Sequence, residues 1–173
     1  MYRVVLLVFA LALVTSCESG PKIGFVDNGE LINSYDEKKD VEARLQLKIN
    51  AYEQRRDSIQ KAFQFEVNEA ELRAKRMSQR EIQELSQEIQ QRSQMLAQRD
   101  QFEQQQIASE SQALNDSLIA KIKQFVGDYA EANGYDYVLG SNEGGSVLYG
   151  SPAQDLTQLI LAQMNEAYSK SKE

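Results

Sequence analysis

The sequence predicts an α+β protein, mostly helical: a small β-domain made by both chain ends, with a long antiparallel coiled-coil hairpin between them. Three observations carry this. From Glu30 to Val126 there is no glycine or proline, although the chain has nine Gly and two Pro. The stretch is rich in Glu, Gln, Arg, Lys, Ala and Leu, which lose little side-chain freedom in a helix. Its apolar residues recur at steps of three or four, the narrow seam of a coiled coil.

Residues 1–17 read as an export signal. Arg3 supplies the positive start, and Val4 to Val14 is an apolar run too short to span a bilayer comfortably. Val14-Thr15-Ser16-Cys17 then resembles the lipobox of bacterial lipoproteins, with cleavage before Cys17 and lipid on its sulfur. The alternative is an ordinary secretory signal in which Cys17 is incidental. Residues 18–35 give a short tether, a strand at Lys22-Ile23-Gly24-Phe25-Val26-Asp27, and a short helix through Leu31 and Ile32 capped by Asp27 or Asn28.

Residues 36–132 form the arm, with Ser34 or Asp36 as its cap. Val41, Leu45, Ile49, Tyr52, Ile59, Phe63, Val67, Ala70, Ala74 and Met77 make the first seam, with Arg56 filling the gap between Tyr52 and Ile59. Ile82, Leu85, Ile89 and Leu96, then Ile107, Leu114, Leu118 and Ile122, continue it. Between the halves, Ser78 with Glu81 three residues on is a capping box, which starts a new helix. The expectation is a hairpin with its tip near 75–79; the rival is one unbroken rod.

Residues 133–173 return to the β-domain. Asn133-Gly134 stops the helix. Tyr135 to Leu139 reads as a strand, Asn142 to Gly145 as a turn, and Ser146 to Tyr149 as a further strand. Asp155 is expected to cap a last helix carrying Leu156, Leu159, Ile160, Met164 and Tyr168, with Gln158 completing a capping box. About three short strands make a marginal sheet, so oligomerisation through this domain is expected.

The order of these parts resembles the Skp, or OmpH-like, family of periplasmic chaperones. The resemblance rests on Lys22 to Asp27, on Asn133-Gly134-Tyr135-Asp136-Tyr137-Val138-Leu139, on Val147-Leu148-Tyr149-Gly150, on Asp155-Leu156-Thr157, and on the Glu/Gln/Lys/Arg-rich hairpin. It implies a jellyfish-shaped homotrimer whose helical arms enclose a cavity. There it would hold unfolded outer-membrane β-barrel proteins without ATP, in the periplasm, with no catalytic residues and no cofactor. Two departures stand out. This chain carries a net charge of −7, whereas well-known members are basic, and Cys17 suggests a tether to the membrane of a Gram-negative-type envelope.

Candidate client-contact residues are apolar positions off the seam: Leu47, Phe65 and Leu72 in the first arm, Met95 and Phe102 in the second. Phe65 to Leu72 and Met95 to Phe102 are both steps of seven, so each pair shares a helix face. The bland reading is scattered surface apolar residues. Arg73, Lys75, Arg76 and Arg80 make a basic arm tip, suited to anionic headgroups or acidic client segments, or simply a solvated helix end. Glutamine, dense from Gln79 to Gln106, is either a wettable wall or a good exposed helix former. Glu69 with Glu71, and Glu81 with Glu84, invite a general-acid reading, but they lie on a charged helix with no expected pocket, which favours plain solvation. Asp57-Ser58-Ile59 and Asp116-Ser117-Leu118 are short matches to bacterial O-glycosylation sites and carry little weight.

The negative charge argues against nucleic acid as a partner. With no His and one Cys, the chain has no His-based triad, no Cys/His metal site and no internal disulfide. A structural spacer or adaptor of the envelope is the competing function; an enzyme has little support.

Overall fold

The computed structural model describes residues 20–172 except 143 and 146, so the expected signal and Cys17 lie outside the described residues, as does Ser146. The chain falls into two compact units. One is made from both chain ends (through Ser34, and from Ile122 onward), and the other is Tyr35–Lys121.

In the first unit, β1 (Ile23–Asp27) pairs in parallel with β2 (Tyr137–Ser141), Ile23 opposite Tyr137 and Asp27 opposite Ser141. Parallel strands need a long crossover between them. β2 starts two residues later than the expected Tyr135 because Tyr135 and Asp136 are committed elsewhere. The Lys22 ammonium lies 4.0 Å from the Tyr135 ring centroid, and Asp136 Oδ2 accepts the Lys22 N–H at 2.6 Å. Asp27 Oδ1 accepts the Glu30 N–H at 2.9 Å and so caps α1 (Asn28–Ser34).

α4 (Thr157–Lys170) packs on α1 and β1. Val26, Leu31, Leu156, Ile160, Leu161 and Met164 form the core, with Leu31 and Ile160 fully buried. Each such side chain contributes about 1.5–3 kcal/mol through burial. Gly24 permits a close approach: a Cβ there would sit 2.5 Å from Leu156 Cδ1.

The start of α4 differs from expectation. Leu156 occupies the cap position without a side-chain bond, and Gln158 donates to Glu30 Oε1 at 2.6 Å instead of closing a capping box. Asp155 works through Thr157. Its Oδ1 accepts the Thr157 N–H at 2.9 Å and the Thr157 hydroxyl at 2.6 Å, while Thr157 Oγ1 accepts the Asp27 N–H at 2.8 Å. A buried hydroxyl, 1% exposed, thus joins the first strand to the last helix.

The further strand does not form among the described residues of 146–149. Gly145 N–H closes the expected turn on Asn142 O at 2.9 Å, but among the described residues Val147 to Tyr149 join no strand, with Leu148 97% and Tyr149 86% exposed. Two interactions explain this. The other edge of β1 is taken by Asp155 and Leu156, whose N–H donates to Phe25 O at 2.9 Å. Gly150 is drawn against the Phe25 ring, where a Cβ would clash.

The second unit contains α2 (Asp36–Ala74) and most of α3 (Gln79–Ala132). At 1.5 Å per residue, α2 is about 58 Å long. Neither Ser34 nor Asp36 caps α2. The cap position is Tyr35, which is buried and donates its hydroxyl to Glu37 Oε2 at 2.7 Å, while Asp36 pairs with Lys39. The acidic first turn still suits the positive helix end.

The chain breaks after Ala74, and the rod reading is excluded. Ser78 and Glu81 form the capping box: the Ser78 N–H and hydroxyl both donate to Glu81 Oε2 at 2.7 Å, and the Glu81 N–H lies 3.4 Å from Ser78 Oγ. These bonds, the hydroxyl's first and then the backbone's, hold the Glu81 carboxyl below its ordinary range. At its far end α3 closes on Gly134 (φ +67°). Tyr135 N–H reaches Ala130 O at 2.9 Å and Gly134 N–H reaches Glu131 O at 3.2 Å, a Schellman motif.

Two substitutions rank these features. Ser78→Ala should cost about 1 kcal/mol, the usual worth of a cap. Thr157→Val keeps the shape but orphans the Asp27 N–H, and should cost about 1–3 kcal/mol. Urea unfolding followed by circular dichroism checks both, and equal or reversed losses would contradict the ranking.

Candidate functional site

The arm is built from two helices that touch along one seam. Cross-arm ion pairs set the register: Glu37 with Lys121, Lys48 with Glu110, Arg55 with Glu103 at 2.9 Å, and Glu66 with Arg92 at 2.9 Å. Each step along α2 is matched by an equal step back along α3, so the helices run antiparallel without slippage.

Seam burial is incomplete. Val41, Tyr52, Ala70 and Leu118 are buried, but Leu45, Ile59, Phe63, Val67, Ile82, Leu85, Ile89, Leu96, Ile107 and Leu114 are only half-buried. Space remains between the helices. One cleft of about 630 Å³ lies near the tip, between Phe63, Val67 and Ala70 on α2 and Ile82, Leu85 and Ile89 on α3. Small residues (Ala70, Ala74, Ser86, Ser93) leave it unfilled.

All five candidate contact residues lie outside the seam. Leu47, Phe65, Leu72, Met95 and Phe102 are between 57% and 70% exposed. Leu47 and Phe65 are eighteen residues apart, about five turns, and Leu72 follows after about two more, so the three share one stripe on α2. Met95 and Phe102 make the equivalent stripe on α3. The stripe lies roughly 160° from the seam on α2 and roughly 115° from it on α3, in the same rotational sense along the chain. Because the helices are antiparallel, that sense turns both stripes toward the same side of the arm, the α2 stripe lying further round on the back of its helix.

The opposite side is polar. By the same periodicity it carries Gln46, Gln60 and Gln64 from α2 and Gln83, Gln87, Gln90, Gln94 and Gln101 from α3, with Ile119 as its large apolar exception. All four ion pairs fall on the apolar side, at the boundary between stripe and seam. The arm therefore has an apolar face fenced from its seam by charges, and a glutamine face on which the seam is not fenced.

Among the tip cations, Arg80 Nε donates to Glu84 Oε1 at 3.0 Å, an exposed i,i+4 pair. Arg73 closes α2, Lys75 and Arg76 occupy the turn, and all are exposed. Their charge also suits the negative end of α2.

The sequence reading missed a polar layer midway along the arm, at Tyr52, Arg55, Arg56, Arg99, Asp100 and Glu103. Tyr52 OH donates to Asp100 Oδ1 at 2.5 Å, and Glu103 accepts from Arg55 and, at 3.2 Å, from Arg99. The signal was the gap in the stripe at Arg56. Hydrogen bonds from Arg55 and then Arg99 hold the Glu103 carboxyl below its ordinary range. For Glu37, burial raises the pKa, but the Lys121 and Tyr35 hydrogen bonds outweigh it and the net direction is down.

A carboxyl depressed in the fold adds stability above its unfolded value, and that stability is lost as pH falls through the folded value. The arm's melting temperature should therefore hold steady above about pH 5 and drop as pH falls below the ordinary glutamate value of 4.5. Glu103→Gln should shrink that drop. Melts followed by circular dichroism at pH 6 and pH 3 test this, and an undiminished drop in the variant would assign it to other carboxyls.

Comparison with known proteins agrees with this architecture. None of the curated proteins matches the chain. Among solved structures, an OmpH-like protein of Caulobacter crescentus CB15, described as a candidate outer membrane chaperone, superposes with a TM-score of 0.75 over 85% of each chain, at 16% identity. That likeness shows the fold. The family model for outer membrane protein (OmpH-like) matches residues 22–164, the strands, both arms and most of the last helix. The chain is a member of the OmpH-like family.

Proposed function

We propose that this protein is an ATP-independent periplasmic holdase for unfolded outer-membrane β-barrel proteins. The observation that carries the reading is the single apolar face of the arm: five large side chains, each more than half exposed, gathered on one side and set against a glutamine face. Such a face offers many weak contacts along a long rod. Spacing the apolar groups among polar ones lets a client bind without collapsing the arm onto itself.

Assembly into a homotrimer through the small unit completes the reading. Its support is local. The outer edge of β2 has no strand beside it among the described residues, Tyr137 and Leu139 are exposed on that strand, and Leu148 and Tyr149 stand almost wholly in solvent. Unpaired edges and exposed apolar residues favour pairing with another copy. Arms from three copies would then bound a shared space, with the apolar faces turned inward and the glutamine faces in solvent. Lipid on Cys17 would hold the assembly at a membrane, and the basic tip would meet anionic headgroups or acidic client segments.

The test is dilution of a urea-unfolded outer-membrane β-barrel protein, with turbidity as the readout. One trimer per client should suppress aggregation without nucleotide. Phe65→Ser with Phe102→Ser should abolish most of that protection while light scattering still reports a trimer, because surface substitutions of this kind cost about 0.5 kcal/mol or less. Undiminished turbidity with the folded trimer would sink the holdase reading and favour an envelope spacer. Separately, Cys17→Ser should move the protein from the membrane fraction to the soluble periplasm.

A further inference from the structure

Midway along the arm a second cavity, of about 430 Å³, opens between α2 and α3. By the arm's register its ends differ. Toward the tip it is walled by Ile59, Phe63, Leu96 and Ala97, together with Gln60 and Ser93. The other end is crowded with charge: three guanidinium groups, Arg55, Arg56 and Arg99, against two carboxylates, Asp100 and Glu103. A cationic excess of one therefore sits beside apolar walls, in a chain whose net charge is −7.

The charges are not equally satisfied. Glu103 serves both Arg55 and Arg99. Asp100 takes the Tyr52 hydroxyl on one oxygen and Gln104 Nε2, at 3.0 Å, on the other. Arg56 lies over the Tyr52 ring, 5.8 Å from its centroid, and among the described residues has no carboxylate within ion-pair reach. It stands on the glutamine side of the seam, where no ion pair closes the gap between the helices.

We infer that this cavity binds a single-chain carboxylate amphiphile, its head on Arg56 and its tail along Ile59, Phe63 and Leu96. The charge excess calls for one negative charge, and a guanidinium takes a carboxylate through two parallel N–H bonds. Seven residues separate Arg56 from Phe63, about 10 Å along the helix, the length of a tail of roughly eight carbons. The apolar end suits methylenes, whereas a peptide strand lying there would leave most of its amides unpaired. The site does not depend on the holdase reading, since it lies within the seam and not on the exposed stripe.

Isothermal titration of the purified protein with octanoate tests the assignment. One saturable site per chain is expected. Octan-1-ol, with the same tail and no charge, should bind at least about tenfold more weakly, as should octanoate to Arg56→Gln, since a charge-assisted pair accounts for about that factor. Ala97→Leu, which fills the apolar end without removing a charge, should weaken octanoate and octanol alike. Lys123→Gln, which removes a cation on α3 outside the cavity, should leave binding unchanged, and circular dichroism should report the same helix content throughout. Equal affinity for octanol, full binding by Arg56→Gln, an equal loss in Lys123→Gln, or no saturable heat would each overturn the proposal.

Discussion

A helix with only one neighbour can hide only one stripe of its surface, and this constraint shapes the whole arm. In a globular core a helix buries a broad face against several elements. Here α2 and α3 have only each other within their unit, so most seam side chains stay half-buried and space is left where small or polar residues fall. The arm compensates with long-range order: a correct helix break, a capping box at the turn, and opposite charges placed at matching heights. Exposed ion pairs contribute little energy individually. Their value lies in register, because a slip would set Glu37, Lys48, Arg55 and Glu66 against the wrong partners.

The same shortage of neighbours separates the two sides of the arm. Charges border the seam on the side that carries Leu47, Phe65, Leu72, Met95 and Phe102, and glutamine covers the other. In the proposed function, such an apolar surface with interspersed polar groups would hold an unfolded chain through many contacts, none of them strong. An acidic chain retains local cationic excess in two places, the tip and the layer around Arg56, so its net charge is a poor guide to what each region attracts.

The small unit solves a different problem. Two short parallel strands cannot stand alone. Strand β1 is secured by α4 across its face, by Asp155 and Leu156 along its free edge, and by the Thr157 hydroxyl at its end. Among the described residues β2 receives no such cover on its outer edge. This asymmetry supports the proposed assembly through that edge, with the exposed Leu148 and Tyr149 as neighbours for another copy.

What could be read from the residues alone was whatever local chemistry decides. The long helices follow from the missing glycine and proline, the turn from Ser78 and Glu81, the stop from Asn133-Gly134, and the exposure of the five off-seam residues from helical period. Each depends on groups within a turn or two of one another. Tertiary structure decided the rest. The start of β2, the occupation of the other edge of β1 by Asp155 and Leu156, the bond from the Asp27 N–H to the Thr157 hydroxyl, and the polar layer around Arg56 all depend on partners far along the chain. Periodicity says which side chains share a face of one helix. Only the antiparallel docking of the second helix determines that both apolar stripes fall on the same side of the arm, because reversing the chain's direction reverses the hand in which those faces are laid out.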